Sequence, residues 1–344
     1  MEGREPFICG QCGVECDLRF TYDLELESGV YAIEWFHCPV CRGDFLNSPE
    51  LLTGEELITP SPDAVGPARE AVLCHGTQVK DSAEPGGHSL EPLIETVLAD
   101  GFADAAILPD YGRQAGALIV TDPEEVGELR RAWATRGRSF FVNAGLEANF
   151  DFLLELERFA RQDGGNHPRI AVAGKPCHVY AARRANMERI APGYEVRLAL
   201  GLFCYGNVQP LGSTAMRFRE LTGLSPTEIR GITATAGLVR VVGSDRRTIE
   251  LPLSDFASFL HRSCLKCVDF TVPWADMSLG ESPQIEGFDV AIVRTEAGEK
   301  LFHRALDTGR LRVWSPPWMT PEGDIPKILA DLTAVKRAVA TLDR

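Results

Sequence analysis

Two cysteines separated by two residues, Cys264-Leu265-Lys266-Cys267, constrain this chain more than any other feature. Such a pair can wrap one edge of a metal centre from a single tight turn, because both thiolates and the intervening backbone N–H groups face the same side. One pair needs two more ligands. Cys177, inside Gly174-Lys175-Pro176-Cys177-His178, and Cys204, inside Gly201-Leu202-Phe203-Cys204, each follow an apolar run that reads as a buried strand. Four thiolates converging from three segments suit an iron–sulfur cluster. Standing alone, Cys264 and Cys267 read equally well as two packed cysteines, since free cysteine is among the most buried residue types.

A second set of four thiols stands near the N-terminus. Residues 1–48 read as a self-contained unit with Cys9-Gly10-Gln11-Cys12-Gly13 at one end and Cys38-Pro39-Val40-Cys41-Arg42-Gly43 at the other. Each is a knuckle, two thiolates on a turn, with a following glycine whose positive φ lets backbone amides point at sulfur. Residues 18–24 and 29–36 read as strands of a hairpin turning near Glu27-Ser28-Gly29. The expected product is a zinc-ribbon-like β module with a four-sulfur site at Cys9, Cys12, Cys38 and Cys41. Zinc is the first choice, because so small a unit needs its metal to fold. A single redox iron is the alternative, since tetrahedral sulfur ligation suits both metals and the knuckles resemble those of rubredoxin.

Composition narrows the class. A chain of 344 residues with 44% hydrophobic content is long enough for two domains and an appendage. Its formal charge of −14 disfavours a nucleic-acid partner, which calls for clustered Lys and Arg. No apolar run approaches a membrane span and the N-terminus shows no signal pattern, so the cytoplasm is the expected compartment. There the 10 cysteines point to metal ligation rather than disulfides. Cys16 and Cys74 fall outside both sets and read as packing residues.

After a linker over residues 49–68, rich in Pro, Gly and acids, apolar runs alternate with helical spacing. Strands are expected near 71–74, 103–109, 116–121, 169–174, 194–203 and 288–293. A β-rich insert is expected at 229–253, with helices from Leu90, over 254–260 and 299–306, and at 326–342 as a packing or dimerisation element, the last placing Pro326 in its first turn. This predicts an α/β fold: a mixed-sheet body of two subdomains, 69–160 and 161–312, with a helical tail at 313–344. The double glycine Gly86-Gly87 opening the first helix reads as a tight turn or as a cradle for an anionic cofactor. Arg130, Arg131, Arg136 and Arg138 read as a solvated helix face or a dock for an anionic coenzyme. Asp269 and Asp276 are divided between capping and cofactor or proton work.

The wording around the four body cysteines resembles the family of the beta subunit of coenzyme F420 hydrogenase and dehydrogenase. The resemblance is carried by Gly174-Lys175-Pro176-Cys177-His178, Gly201-Leu202-Phe203-Cys204, Cys264-Leu265-Lys266-Cys267-Val268-Asp269-Phe270 with Ala275-Asp276-Met277-Ser278-Leu279-Gly280, and Val293-Arg294-Thr295-Glu296-Ala297-Gly298, in the family's order. It implies a [4Fe–4S] cluster on Cys177, Cys204, Cys264 and Cys267, and FAD near Gly86, Gly87, His88 and Ser89. Relatives carry Ser-Gly-Gly there; here Pro85 stands for the serine and His88 follows. The resemblance also implies coenzyme F420 as hydride partner, with other acceptors known in the family. The expected function is therefore a flavin and iron–sulfur oxidoreductase. Two alternatives are an electron-transfer subunit working for a partner redox subunit, and a noncatalytic zinc-ribbon adaptor. No nucleotide-binding Gly-x-Gly-x-x-Gly or Ser-His-Asp set competes.

Overall fold

The computed structural model describes residues 2–8, 15–21, 32–33, 66, 68–77, 88–109, 117–127, 159, 167–176, 178–179, 182–183, 194–206, 213–224, 228–235, 237–243, 245, 247–260, 269–282, 288–314 and 321–341. Apolar β-branched runs build its centre. Strands β4 (Glu70–Gly76), β5 (Ala105–Pro109), β6 (Ala117–Val120), β7 (Arg169–Gly174), β8 (Glu195–Leu202), β12 (Met277–Glu281), β13 (Asp289–Val293) and β14 (Leu311–Val313) join in one eight-stranded sheet. Their order is β14-β4-β13-β12-β8-β7-β5-β6. The four neighbours β12, β8, β7 and β5 are parallel, and the remaining pairs antiparallel. This is the mixed-sheet α/β body that the sequence predicts, and one sheet takes strands from both sides of residue 160.

The central strands are buried on both faces, which is why they read as unbroken apolar runs rather than alternating ones. Val72, Cys74, Leu202, Leu279, Ala291 and Val293 face helices α1 (Leu90–Ala99) and α4 (Glu296–Asp307). Leu73, Val290 and Ile292 face the other way, onto the long helix α5 (Pro321–Thr341). The residues therefore alternate between two cores in three layers.

Between β8 and β12 the chain adds a smaller unit with its own core. Strands β9 (Ile229–Thr235), β10 (Leu238–Gly243) and β11 (Thr248–Pro252) form an antiparallel sheet in the order β11-β10-β9. Helices α2 (Ser213–Thr222) and α3 (Leu253–Ala257) pack on it through Phe218 and Phe256. Toward its C-terminus α5 completes this core with Val335 and Val339, while Ile325, Ile328, Leu329 and Leu332, earlier in the helix, belong to the sheet core.

Helix α5 starts at Pro321, five residues before the proline from which the sequence pattern starts it. Pro321 takes the first-turn position that suits the residue's fixed φ and missing N–H. Pro326 then sits inside the helix, where it removes one backbone hydrogen bond. Three further elements escaped the pattern: α2, β14 and the central strand β12, whose residues read only as a motif. In the N-terminal module β1 (Glu2–Ile8), β2 (Glu15–Thr21) and β3 (Ala32–Ile33) form a three-stranded antiparallel sheet. Strand β2 pairs antiparallel with β1 on one side and with β3 on the other, and the expected turn near Glu27-Ser28-Gly29 lies outside the described residues.

Gly280 allows the middle of the sheet to close. A Cβ there would run into the Phe203 ring and its own Cβ, and Phe203 is held by its N–H to the Leu279 carbonyl at 2.8 Å. Gly280→Ala is expected to destabilise the chain by about 1–3 kcal/mol, read as a lower urea midpoint at unchanged m.

Candidate functional site

The parallel strands point their carboxyl ends to one edge of the sheet, the edge at which open α/β sheets bind ligands. Three of the family-like motifs end there. Gly174 of β7 pairs with Gly201 of β8, so Cys177 and Cys204 each lie three residues beyond a matched glycine. Leu202 pairs with Leu279 of β12, so Cys204 and Glu281 each lie two residues beyond a second matched pair. Cys204 is described and half-buried. Its N–H donates to the carbonyl of Phe270 at 3.1 Å, and Phe270 follows Cys267 by three residues. Cys177, Cys264, Cys267, Gly86, Gly87, Arg130, Arg131, Arg136 and Arg138, and the N-terminal Cys9, Cys12, Cys38 and Cys41, lie outside the described residues.

The segment from Asp269 to Asp276 is pinned with unusual density. Val272 has φ of 56°, a left-handed conformation that costs a β-branched residue on the order of 1–3 kcal/mol. Several bonds hold it there. Val272 N–H donates to Asp269 Oδ1 at 3.0 Å, and its carbonyl accepts from Ser278 Oγ at 3.0 Å and from Ala275 N at 3.1 Å. Arg294, itself buried, donates from Nε to Ser278 Oγ at 2.9 Å and from Nη2 to the Thr271 carbonyl at 2.9 Å. Gly201 takes part by having no side chain, since a Cβ there would overlap Val272 and Ala275.

Asp276 is the bolt of this arrangement. Its Oδ2 accepts from Arg183 Nη2 at 2.6 Å and from the Ala199 N–H at 2.7 Å, and its Oδ1 accepts from Thr295 Oγ1 at 2.6 Å. Thr295 Oγ1 in turn caps α4 by accepting from Gly298 N–H at 3.2 Å. Asp276 therefore positions backbone. Asp269 is different: burial pushes its carboxyl up to about 6, against the pull of the Val272 N–H, Arg294 and Lys336. Beyond β7, burial and the nearby Lys175 charge push His178 down to about 3, so the ring is neutral at neutral pH.

At the same edge, the N-terminus of α1 meets a row of side chains running across β4, β13 and β12. Cys74, Asp289 and Glu281 are register partners in that row. The buried Asp289 carboxylate accepts from the Ser89 N–H at 2.6 Å, supplying the negative charge a helix N-terminus favours. Ser89 is itself buried, and its Oγ lies 3.2 Å from Cys74 Sγ instead of capping the helix. Burial, with the charge of Asp289, pushes the Cys74 thiol up to about 12, which fits the packing role read from sequence. His88 stands over the row, with Nδ1 3.4 Å from Asp289 and Nε2 3.7 Å from Glu281. Burial alone would lower this imidazole. Asp289 by hydrogen bond and charge, then Glu281 and Glu91, outweigh it and raise the group to about 9, so His88 is an imidazolium at neutral pH.

The donor chemistry can be weighed against each implied group. A half-buried thiol at the end of β8, on a loop braced against the segment following Cys267, fits a sulfur-ligated cluster. For a flavin, the described part offers the His88 cation and the start of α1, while the Ser89 hydroxyl is already committed to Cys74. These contacts fit an anionic cofactor approached through His88 and backbone.

Two outcomes follow from the geometry. Removing the Asp276 carboxylate leaves the Ala199 N–H without its acceptor and Arg183 with its bond to the Trp274 carbonyl, so Asp276→Ala is expected to cost about 1–3 kcal/mol in chemical denaturation. Because the folded state raises the His88 value from 6.5 to about 9, its stabilising contribution is complete below pH 6.5 and disappears as pH rises through 9. The melting temperature should fall across that window in the wild type, and less in His88→Gln.

Comparison with known proteins agrees with this fold. Residues 167–317 match the family described as the C terminus of the coenzyme F420 hydrogenase/dehydrogenase beta subunit. The beta subunit of coenzyme F420 hydrogenase from Methanococcus voltae is 26% identical over 240 residues, covering 68% of this chain and 79% of that protein. A subunit of the F(420)H(2) dehydrogenase from Methanosarcina mazei is 29% identical over 237 residues, covering 67% of this chain and 62% of that one. A chain of the F420-reducing [NiFe] hydrogenase complex from Methanosarcina barkeri has the same fold, with a TM-score of 0.61 at 19% identity over 81% of this chain and 93% of its own. The matched segment contains Cys177, Cys204, Cys264, Cys267 and the whole braced edge, so over this part the chain is similar to the family of coenzyme F420 hydrogenase and dehydrogenase beta subunits.

Proposed function

We propose that this chain is an electron-transfer oxidoreductase subunit that holds a [4Fe–4S] cluster on Cys177, Cys204, Cys264 and Cys267 and FAD beside the start of α1, near Gly86, Gly87, His88 and Ser89. The observation that supports it most directly is the 3.1 Å bond from the Cys204 N–H to the Phe270 carbonyl. Three residues span at most about 11 Å, which limits how far Cys267 can stand from the Phe270 backbone. Gly174 and Gly201 are register partners on neighbouring parallel strands, and in the sequence Cys177 and Cys204 each follow their glycine by three residues. Flavin and cluster together convert two-electron hydride chemistry into single-electron steps.

The chain's own residues supply position and charge. Asp276, Ser278 and Arg294 hold the segment between Cys267 and β12. The His88 imidazolium presents a positive charge at the edge where an anionic cofactor would dock. Coenzyme F420, carried in the names of the relatives, is the proposed hydride partner, with Arg130, Arg131, Arg136 and Arg138 as its anion dock. A second redox subunit is the proposed acceptor. No described helix is long and apolar enough to cross a membrane.

For the N-terminal module we propose zinc on Cys9, Cys12, Cys38 and Cys41. The reading rests on the spacing of the two pairs, Cys9-Gly10-Gln11-Cys12 and Cys38-Pro39-Val40-Cys41, each able to offer two thiolates from one turn.

Anaerobic purification with metal, sulfide and flavin analysis tests this reading. The expected protein carries about four irons and four sulfides per chain, one FAD and one zinc. Cys204→Ser should lose most of the iron, and Cys74→Ser should keep it. Iron content indifferent to Cys204→Ser overturns the cluster assignment.

A further inference from the structure

Helix α5 carries a charge where its pattern calls for an apolar side chain. Its buried positions, Ile325, Ile328, Leu329, Leu332, Thr333, Val335, Lys336 and Val339, keep helical spacing along one stripe. Lys336 lies inside that stripe, one turn after Leu332, and is only 1% exposed. Burying an ammonium costs several kcal/mol unless it is compensated, a penalty that a leucine or methionine at this place would not carry. The position is also special. Lys336 stands where the sheet core gives way to the core of the small unit, with Leu332 in the first and Val335 in the second.

Its Nζ donates to the Tyr205 carbonyl at 3.1 Å, one residue past Cys204. Tyr205 packs against both cores and meets the Phe270 ring in a tilted contact with centroids 4.8 Å apart, and the Phe270 carbonyl holds the Cys204 N–H. The Lys336 charge is also felt by Asp269, two residues past Cys267, beside the buried Arg294. Thus one ammonium, delivered from the far end of the sequence, braces the loop after Cys204 and adds positive charge beneath the segment that follows Cys267.

We propose that Lys336 is a positioning and charge-setting residue for the cysteine edge, raising the reduction potential of the centre bound there. This rests on the cluster reading above. A fixed positive charge favours whichever form of a neighbouring centre holds the extra electron, and net charge and sulfur surroundings are what tune such potentials. A purely structural lysine would hold the loop by its hydrogen bond and leave the potential where it was.

The test uses the full chain purified anaerobically, as wild type, Lys336→Gln, Lys336→Met and Lys336→Arg. Iron and sulfide per chain, thermal melting and the cluster midpoint potential at fixed pH are measured for each. Lys336→Gln keeps a donor for the Tyr205 carbonyl and drops the charge. It is expected to load iron as the wild type does and to shift the oxidised-to-reduced ratio at fixed potential about tenfold toward oxidised, about 59 mV for one electron. Lys336→Met should shift the same way, and Lys336→Arg should match the wild type. Loss of iron in Lys336→Gln, which keeps the donor to the Tyr205 carbonyl, contradicts the expected loading and overturns the charge-setting role. An unshifted potential in iron-loaded Lys336→Gln overturns the proposal, as does an arginine variant that falls with the neutral ones. Wild-type protein free of cluster iron overturns the cluster reading and this one together, a result distinct from an unshifted potential.

Discussion

The carboxylate of Asp276 lies where three parts of the chain have to meet, and its hydrogen bonds decide how they do so. It receives the Ala199 N–H from β8, the Arg183 guanidinium from the segment after β7, and the Thr295 hydroxyl that caps α4. A buried carboxylate is expensive unless its oxygens are filled, and here both oxygens have donors. Its own backbone reinforces the join, with Asp276 N–H donating to Ala199 O at 2.7 Å and Asp276 O accepting from Arg294 N at 2.9 Å. The strained turn at Val272 and the approach of Phe270 to Cys204 depend on this join, because the segment carrying them is anchored at its far end by Asp276.

A second dependence runs through α5. The small unit is inserted between Cys204 and Cys264, so any freedom in it would be transmitted to both cysteine segments. Helix α5 limits that freedom by contributing to the sheet core and to the inserted core along one continuous stripe. Rigidity at the cysteine edge is thus supplied from residues far from it in sequence. Rigid supports of this kind are what a redox centre needs, since its potential depends on the distances of charges and hydrogen bonds around it.

Much of the body was legible because its strands are buried on both faces. Runs such as Ile170-Ala171-Val172-Ala173 and Val290-Ala291-Ile292-Val293 have no other reasonable home. Elements whose residues are mixed were not legible. Strand β12 contains Ser278 and Gly280, which look like loop residues, yet Ser278 is satisfied by Val272 and Arg294, and Gly280 is required by Phe203. Helix α2 exposes Met216 and Leu221, which blurs its polar face, and β14 is too short to show a period.

The amino-acid sequence by itself determined the α/β class and the motif pattern shared with the F420 hydrogenase and dehydrogenase beta subunits, because motif spacing and strand hydrophobicity are local properties, and the two proposed sets of four cysteines rest on that spacing alone. Only the tertiary structure decided that Asp276 is a bolt, that Ser89 turns to Cys74 while Asp289 takes its amide, and that Lys336 reaches the loop after Cys204. Those roles arise from contacts between residues far apart in the chain, where burial and hydrogen-bond partners are set by how the layers close and not by any sequence neighbour.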